Sequence, residues 1–148
     1  SGMPTYAECG GLAYLSREIV DFARSNHPMV GVIPYSCKMG KSLTMGYREI
    51  KVLQDNILAC QEEVLKGHEF HYSHLEGMFP SRDSFSFAYC LLGKGKQGKE
   101  GLVCKNLLAS YIHLNFCGFP SLADNFVINC KKWQQGQGEK FYGQNEAN

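Results

Sequence analysis

The sequence predicts a single mixed α/β domain, and three features carry that expectation. Thr5 and Tyr6 favour a strand, the small residues in Ala7-Glu8-Cys9-Gly10-Gly11 favour a tight turn, and Leu12, Leu15, Ile19, Phe22 and Ala23 recur at helical spacing. Between residues 29 and 116, short apolar or alternating runs are punctuated by Gly, Pro, Asn and Asp, a pattern of roughly five or six strands. A last stretch, opened by Pro120-Ser121, sets Leu122, Phe126, Val127 and Cys130 on one helical stripe. The length of 148 residues fits one domain.

Taken in order, the first helix is expected over residues 11–24 and is stopped by Ser25-Asn26-His27-Pro28, because proline disfavours helix in the residue before it. Residues 29–33 read as a short strand, and Pro34 argues against a central place in a continuing ladder. Residues 35–42 read as a polar connection, 44–53 as an alternating strand with Tyr47, Ile50 and Val52 as its apolar positions, and Asp55-Asn56 as a turn. In 62–75, Phe70 and Tyr72 alternate with His71 and Ser73, which favours a strand. An aromatic-rich strand over 84–92, a flexible basic hairpin tip over 93–101 and a returning strand over 102–104 follow. Residues 106–116 are mostly apolar and carry His113. The final helix is expected to end near residue 133, with the Gln/Gly/Asn-rich 134–148 as a disordered tail. Ser1-Gly2 before Met3 reads as a tag scar, so the domain reads as 3–133. No internal repeat is visible.

Composition narrows the function classes. Apolar content of 44% with 20% charged residues is ordinary for a globular chain. A net charge of +1 lacks the basic excess of a nucleic-acid footprint, and no apolar run reaches the roughly 20 residues that span a membrane. The seven cysteines (Cys9, Cys37, Cys60, Cys90, Cys104, Cys117 and Cys130) are odd in number, and none is paired as C-x-x-C. They read as reduced thiols of a cytoplasmic protein, six of them packing residues.

Cys9 is the exception. Strand, sharp turn with a nucleophile at its apex, then helix is a nucleophile-elbow arrangement, and Ala7, Gly10 and Gly11 meet its need for small neighbours. At a helix N-terminus the thiolate would be favoured over the thiol, and the Gly10 N–H would point where an oxyanion could form. A buried structural cysteine beside a Gly-rich turn is the competing reading, and the motif alone does not separate the two. A thiol attacking a carboxamide needs a histidine. His27 lies at an expected helix end. His68, His71 and His74 would cluster for metal on a helix, but on a strand His71 faces away from the other two, and no ligand spacing nearby completes a zinc set. His113 ends an apolar segment before a loop, where a site residue emerges from a sheet, against the alternative of a satisfied core histidine. Asn115 could orient it.

Other local patterns carry less. Gly93-x-x-x-x-Gly98-Lys99 has Glu100 where a phosphate loop needs Ser or Thr, and Gly40-Lys41-Ser42 has Tyr35 where the first glycine belongs, so no nucleotide site is assigned. The charges in Tyr47-Arg48-Glu49 and Gly67-His68-Glu69-Phe70 are explained by ordinary solvent-facing alternation as well as by function.

Six stretches in order extend the pattern: residues 6–15, Met29-Val30-Gly31-Val32-Ile33-Pro34, Lys38-Met39-Gly40-Lys41, Gly46-Tyr47-Arg48-Glu49, Gly67-His68-Glu69-Phe70-His71-Tyr72-Ser73 and Ser110-Tyr111-Ile112-His113-Leu114-Asn115-Phe116. Together they resemble the cobyrinic acid a,c-diamide synthase family, in its C-terminal glutamine amidotransferase domain, from about residue 4 to residue 133. The resemblance implies a three-layer, flavodoxin-like class I amidotransferase sheet, of which this chain is the C-terminal part. It implies Cys9 as the glutaminase nucleophile, His113 as its base and the Gly10 backbone as oxyanion donor, with no metal or cofactor bound by this chain.

Glutamine is then the substrate. Its ammonia would pass to a synthetase domain that uses ATP and magnesium to amidate the a and c carboxylates of a corrin precursor. Relatives acting on nickel-sirohydrochlorin or hydrogenobyrinic acid share these motifs. The resemblance implies a Cys-His dyad, with Asn115 where other class I enzymes carry the third member, a Glu; Asn115 is not read as catalytic. The synthetase domain and the first half of the amidotransferase domain, with its glycine-rich oxyanion loop, have no counterpart in these residues. Losing one oxyanion donor costs about 10²–10³ in rate, so the isolated chain is expected to be weakly active or inactive. A strand that belongs mid-sheet begins near residue 4, so partner strands are expected from the missing half, in cis or in trans, or from a homo-oligomer. An inert module acting in association, and more weakly a His-cluster metal protein, are the alternatives.

Overall fold

A computed structural model describes residues 2–76, 85–93 and 98–142, with the side chains of the last helix described to residue 136. Strand β1 (Thr5–Glu8) runs into the short helix α1 (Gly10–Leu15). Strands β2 (Ser16–Val20), β3 (Asn26–Pro28), β4 (Ile33–Val52), β5 (Val64–Glu76), β6 (Ser86–Leu92), β7 (Gly98–Cys104), β8 (Leu107–Ser110) and β9 (Ile112–Leu114) follow, and helix α2 (Ser121–Tyr142) closes the described chain. The strands form one sheet in the order β1-β8-β7-β6-β4-β2-β3, with β5 pairing β4 and β9 outside that path. Pairings β1–β8 and β2–β4 are parallel, and the others are antiparallel.

Strand β8 shows how the layers arise. All four of its residues are buried, and they alternate between two cores. Leu108 joins Ile50, Val52, Tyr89 and Ile112 on one face with Leu122 of α2, while Leu107 and Ala109 join Ala7, Ile33 and Leu102 on the other with Leu12 of α1. A strand covered by a helix on each side must be apolar on both faces, which is why Leu107-Leu108-Ala109 lacks alternation. The result is a sheet-dominated α/β domain with helix on both sides of its β1–β8 end. Among the described residues, β1 pairs with β8 alone, so the strand that leads into Cys9 ends that path.

Several expected boundaries move. The helix expected over 11–24 ends at Leu15, and residues 16–20 and 26–28 are strands. Ile19 and Val20 are β-branched, and β4 offers them a parallel partner from Ser16↔Ile33 to Val20↔Lys38, so pairing outweighs the helical spacing. Phe22, counted on the helical stripe, is exposed. The strand expected over 29–33 and the connection expected over 35–42 are replaced by β4, which runs through Pro34. The register jumps there from Ser16↔Ile33 to Glu18↔Ser36, and a bulge is where a strand tolerates proline. Part of the expected hairpin tip, 98–101, belongs to β7, and 94–97 lie outside the described residues, as does Ser1. Helix α2 continues past Trp133 to Tyr142, because the Lys, Gln and Glu of 131–140 are good helix formers; of the expected disordered tail, 134–142 are helical and 143–148 lie outside the described residues. The cysteines are free, but Cys60 and Cys117 are exposed rather than packed.

The β4–β5 ribbon overturns the expected facing of Arg48 and Glu69, while Glu49 is exposed as expected. Its register sets Met45 opposite Phe70 and Tyr47 opposite His68. Tyr47 is 89% exposed, and Met45, Phe70 and Tyr72 are exposed as well. Glu69 and His71 are buried on the other face, where Arg48 Nε donates to Glu69 Oε2 at 2.7 Å. Aromatics face out and the ion pair faces in, the reverse of solvent-facing charge alternation.

Candidate functional site

Parallel pairing pins the end of β1 to the end of β8. Thr5↔Leu107 through Glu8↔Ser110 are in register, and the Cys9 N–H donates to the Ser110 carbonyl at 2.8 Å. Cys9 then turns at φ 48° and ψ −100°, a backbone that a non-glycine residue adopts at a cost of about 1–3 kcal/mol. Its carbonyl accepts the Ala13 N–H at 3.1 Å and so begins α1. Two of the three small neighbours have separate uses. A Cβ on Gly11 would stand 3.4 Å from Ala7 Cβ, whereas a Cβ on Gly10 would meet nothing within 4 Å. Gly11 packs the turn closely, and Gly10 faces open space.

Burial raises the Cys9 thiol above its ordinary range; the Gly10 backbone hydrogen bond pulls it down, and the nearby Cys37 and Glu8 push it up. Burial therefore opposes the thiolate that the helix N-terminus is expected to favour. A helix of 6 residues offers little dipole, and desolvation of the charged form outweighs it. The sulfur is turned to the Phe70 carbonyl of β5, 3.9 Å away.

His113 arrives from the other side. Strand β9 pairs with β5, His68 opposite His113 and Gly67 opposite Leu114. A Cβ on Gly67 would lie 2.4 Å from Ile112 Cγ2 and 2.6 Å from the His113 carbonyl oxygen, so only glycine lets β9 close on β5. The ring Nδ1 of His113 lies 2.9 Å from Glu8 Oε1. The second oxygen, Glu8 Oε2, accepts the Leu114 N–H at 3.3 Å and the Tyr6 hydroxyl. Burial, reinforced by that bond to Glu8, pushes the Tyr6 hydroxyl up and keeps it a donor.

Glu8 is the residue that sequence reasoning misses, because in the sequence it reads only as part of the turn. Tyr6 and Glu8 share one face of β1 while Ala7 takes the other. An acid placed directly before a candidate nucleophile in an apolar strand is the available signal. Asn115 is elsewhere engaged: its Oδ1 accepts the Gly118 N–H at 3.0 Å and shapes the turn toward α2.

The remaining histidines separate as strand geometry requires. His71 is buried, stacked on Tyr111 with ring centroids 4.0 Å apart, its Nδ1 2.7 Å from the Ser73 carbonyl oxygen and its Nε2 3.7 Å from Glu69 Oε1. His74 is exposed on the opposite face, and His68 lies between Tyr47 and Phe70. His27 is exposed and paired with Asp21 at 2.9 Å. Among the described residues, no group of three or more His, Cys, Asp or Glu is arranged to hold a metal ion. The phosphate-loop look-alikes do not fit a nucleotide: Gly40, Lys41 and Ser42 lie inside β4, and Gly98 and Lys99 open a strand rather than a helix. Among the described residues, no helix is long and apolar enough to cross a membrane.

A family model described as a CobB/CobQ-like glutamine amidotransferase domain matches residues 1–120. The cobyrinate a,c-diamide synthase of Caldanaerobacter subterraneus is 40% identical over 133 residues, covering 89% of this chain and 29% of the relative. That of a Synechococcus species is 43% identical over 131 residues, 88% of this chain and 28% of the relative. That of Saccharolobus solfataricus is 38% identical over 120 residues, 80% and 27%. The chain thus spans less than a third of the length of these relatives. Among solved structures, a protein described as a GMP synthase component from Thermoplasma acidophilum superposes with a TM-score of 0.63 at 15% identity, over 94% of this chain and 63% of that one. A glutamine amidotransferase superposes with a TM-score of 0.54 at 16% identity, over 85% and 60%. At such identities the likeness concerns the fold, which is the α/β fold of class I glutamine amidotransferases.

Proposed function

The chain belongs to the CobB/CobQ-like glutamine amidotransferase domain family, and from that premise we propose that Cys9, His113 and Glu8 carry out glutamine hydrolysis. The supporting observation is the Glu8 carboxylate, which sits at the end of the strand presenting Cys9 and meets His113 Nδ1, the Leu114 N–H and the Tyr6 hydroxyl. With Nδ1–H donated to Glu8, the other ring nitrogen, Nε2, is the one free to take a proton.

His113 removes the proton of the resting Cys9 thiol as sulfur attacks the glutamine side-chain carbonyl. The Gly10 N–H receives the oxyanion, in the open space beside that glycine. Collapse of the tetrahedral adduct breaks the C–N bond, the imidazolium returns its proton to the leaving ammonia, and a glutamyl thioester remains. Water, deprotonated by the same imidazole, hydrolyses the thioester to glutamate and regenerates the thiol. Glu8 holds the ring in one tautomer and stabilises the imidazolium, so this dyad acquires a carboxylate from a position other than the familiar one.

The relatives named cobyrinate a,c-diamide synthase support a wider role, in which the ammonia amidates the a and c carboxylates of a corrin precursor with consumption of ATP. Glutamine hydrolysis does not depend on the nucleotide site that such amidation needs. The resting orientation of Sγ toward Phe70, with the thiol protonated, supports low activity for the chain by itself.

The test is glutamine-dependent ammonia release by the purified chain, alone and with the rest of a relative's polypeptide supplied in trans. Cys9→Ala should abolish release, and Glu8→Gln should lower kcat on the order of 10²-fold by loosening the imidazole. Release that survives Cys9→Ala would overturn the nucleophile, and a Glu8→Gln variant as fast as the parent would return the site to a simple dyad.

A further inference from the structure

Glu100 stands outside the Cys9–His113–Glu8 constellation, yet it grips the segment that joins the constellation together. It lies on β7 directly before Gly101, whose φ of 70° and close neighbours, Ala88 Cβ at 3.0 Å and Tyr89 Cδ2 at 3.1 Å from a notional Cβ, admit only glycine. Its carboxylate accepts the Ser110 hydroxyl at Oε2 (2.7 Å) and the Tyr111 N–H at Oε1 (2.8 Å). Ser110 Oγ in turn accepts the Ile112 N–H at 2.9 Å. All three residues of the bend between β8 and β9 are therefore tied, directly or through one hydroxyl, to a single carboxylate. The Ser110 carbonyl anchors the Cys9 N–H at 2.8 Å, and His113 is the next residue after Ile112.

A carboxylate is a costly way to hold a bend. Leu12, Leu75, Phe87, Leu102 and Tyr111 line the same pocket as Glu100, with Lys99 as its one cation among the described residues. Burial pushes its carboxyl up, against the pull of Ser110 and of the Tyr111 and Gly101 backbone. Apolar packing there would serve stability as well or better. A charged acceptor with two oxygens instead imposes direction, aiming one hydroxyl and one N–H in a set geometry.

We propose that Glu100 is a positioning residue for the glutaminase reaction, fixing the Ser110-Tyr111-Ile112 bend so that Cys9 and His113 stay in register. This rests on the reading of Cys9 and His113 as nucleophile and base, and extends it to a third strand. Glutamine at Glu100 keeps the shape and one acceptor oxygen, but offers an amide N–H2 where the Ser110 hydroxyl donates. The bend then loosens without losing its packing.

The test is a double-mutant cycle on the alkylation rate of Cys9 by iodoacetamide near pH 7, followed on the Cys9 peptide by mass spectrometry in the full chain. Glu100→Gln should slow alkylation about ten-fold where His113 is present, and by less than about two-fold in a His113→Ala background. Ser110→Ala, which removes one arm of the grip, should act in the same direction with a smaller effect. A purely structural role would expose the thiol and speed alkylation in both backgrounds. That result, equal slowing in both backgrounds, no effect of Glu100→Gln, or a parent rate indifferent to His113 would each overturn the proposal. Protection of Cys9 by glutamine is scored separately: its absence alongside an intact cycle would count against the glutaminase reading and leave the positioning role standing.

Discussion

Around β1 and β8, apolar side chains fill both faces of the sheet, and the polar groups that remain, Glu8, Ser110 and His113, are bonded to one another or to the bends that carry them. Along the β4–β5 ribbon the arrangement inverts: Met45, Tyr47, Phe70 and Tyr72 face solvent, and Arg48, Glu69 and His71 face inward. The inward face of the ribbon is the one that meets Tyr111, in the bend between the Cys9 anchor Ser110 and His113. The two regions touch at Phe70, whose carbonyl faces the Cys9 sulfur, and at Gly67, where β9 closes on β5.

Gly67 is where the comparison breaks most readily. Gly67→Ala places a methyl within 2.4 Å of Ile112 and 2.6 Å of the His113 carbonyl oxygen. It should destabilise the chain by about 1–3 kcal/mol in urea unfolding and displace His113, removing glutaminase activity from the protein that remains folded. Full activity in Gly67→Ala would mean that β9 does not need the ribbon.

A smaller effect separates strain from chemistry at Cys9 itself. Cys9→Ala and Cys9→Gly both lack the nucleophile, but only glycine adopts φ 48° and ψ −100° freely. Cys9→Gly should be the more stable of the two by about 1–3 kcal/mol, read as a difference in denaturation midpoint at equal slope. Equal midpoints would show that the turn is not strained.

The smallest effect lies on the outer face of the ribbon. Tyr47→Ser, at a side chain 89% exposed, should change stability by less than about 0.5 kcal/mol. A loss of several times that would show the aromatic face to be covered in solution, and the inversion to be only apparent.

Part of the proposed site can be named residue by residue. Cys9 in a small-residue turn and His113 at the end of an apolar run stand out as candidates because each signal is local, although each pattern also fits a structural residue. Glu8 does not, because its meaning comes from meeting a residue 105 positions away. In the sequence Glu100 reads only as the wrong residue for a phosphate loop, yet its partners are Ser110 and Tyr111, at the end of another strand. The same limit governs the fold. The helical spacing of Leu12, Leu15 and Ile19 is real, but residues 16–20 extend because β4 is there to pair with them.

By itself, the amino-acid sequence determined the elbow, the presence of strands within 44–53, 62–75 and 84–92, the alternation that parts His71 from His68 and His74, and the chemical kinds available at Cys9 and His113. These depend on neighbours within a few residues, whose spacing sets turn, period and face. Only the tertiary structure decided which face of the ribbon is buried, where the first helix stops, that burial raises the Cys9 thiol, and that Glu8 reaches His113. Those outcomes depend on desolvation and on pairing between distant strands, and a one-dimensional pattern carries the period of a strand without naming the partner that covers it.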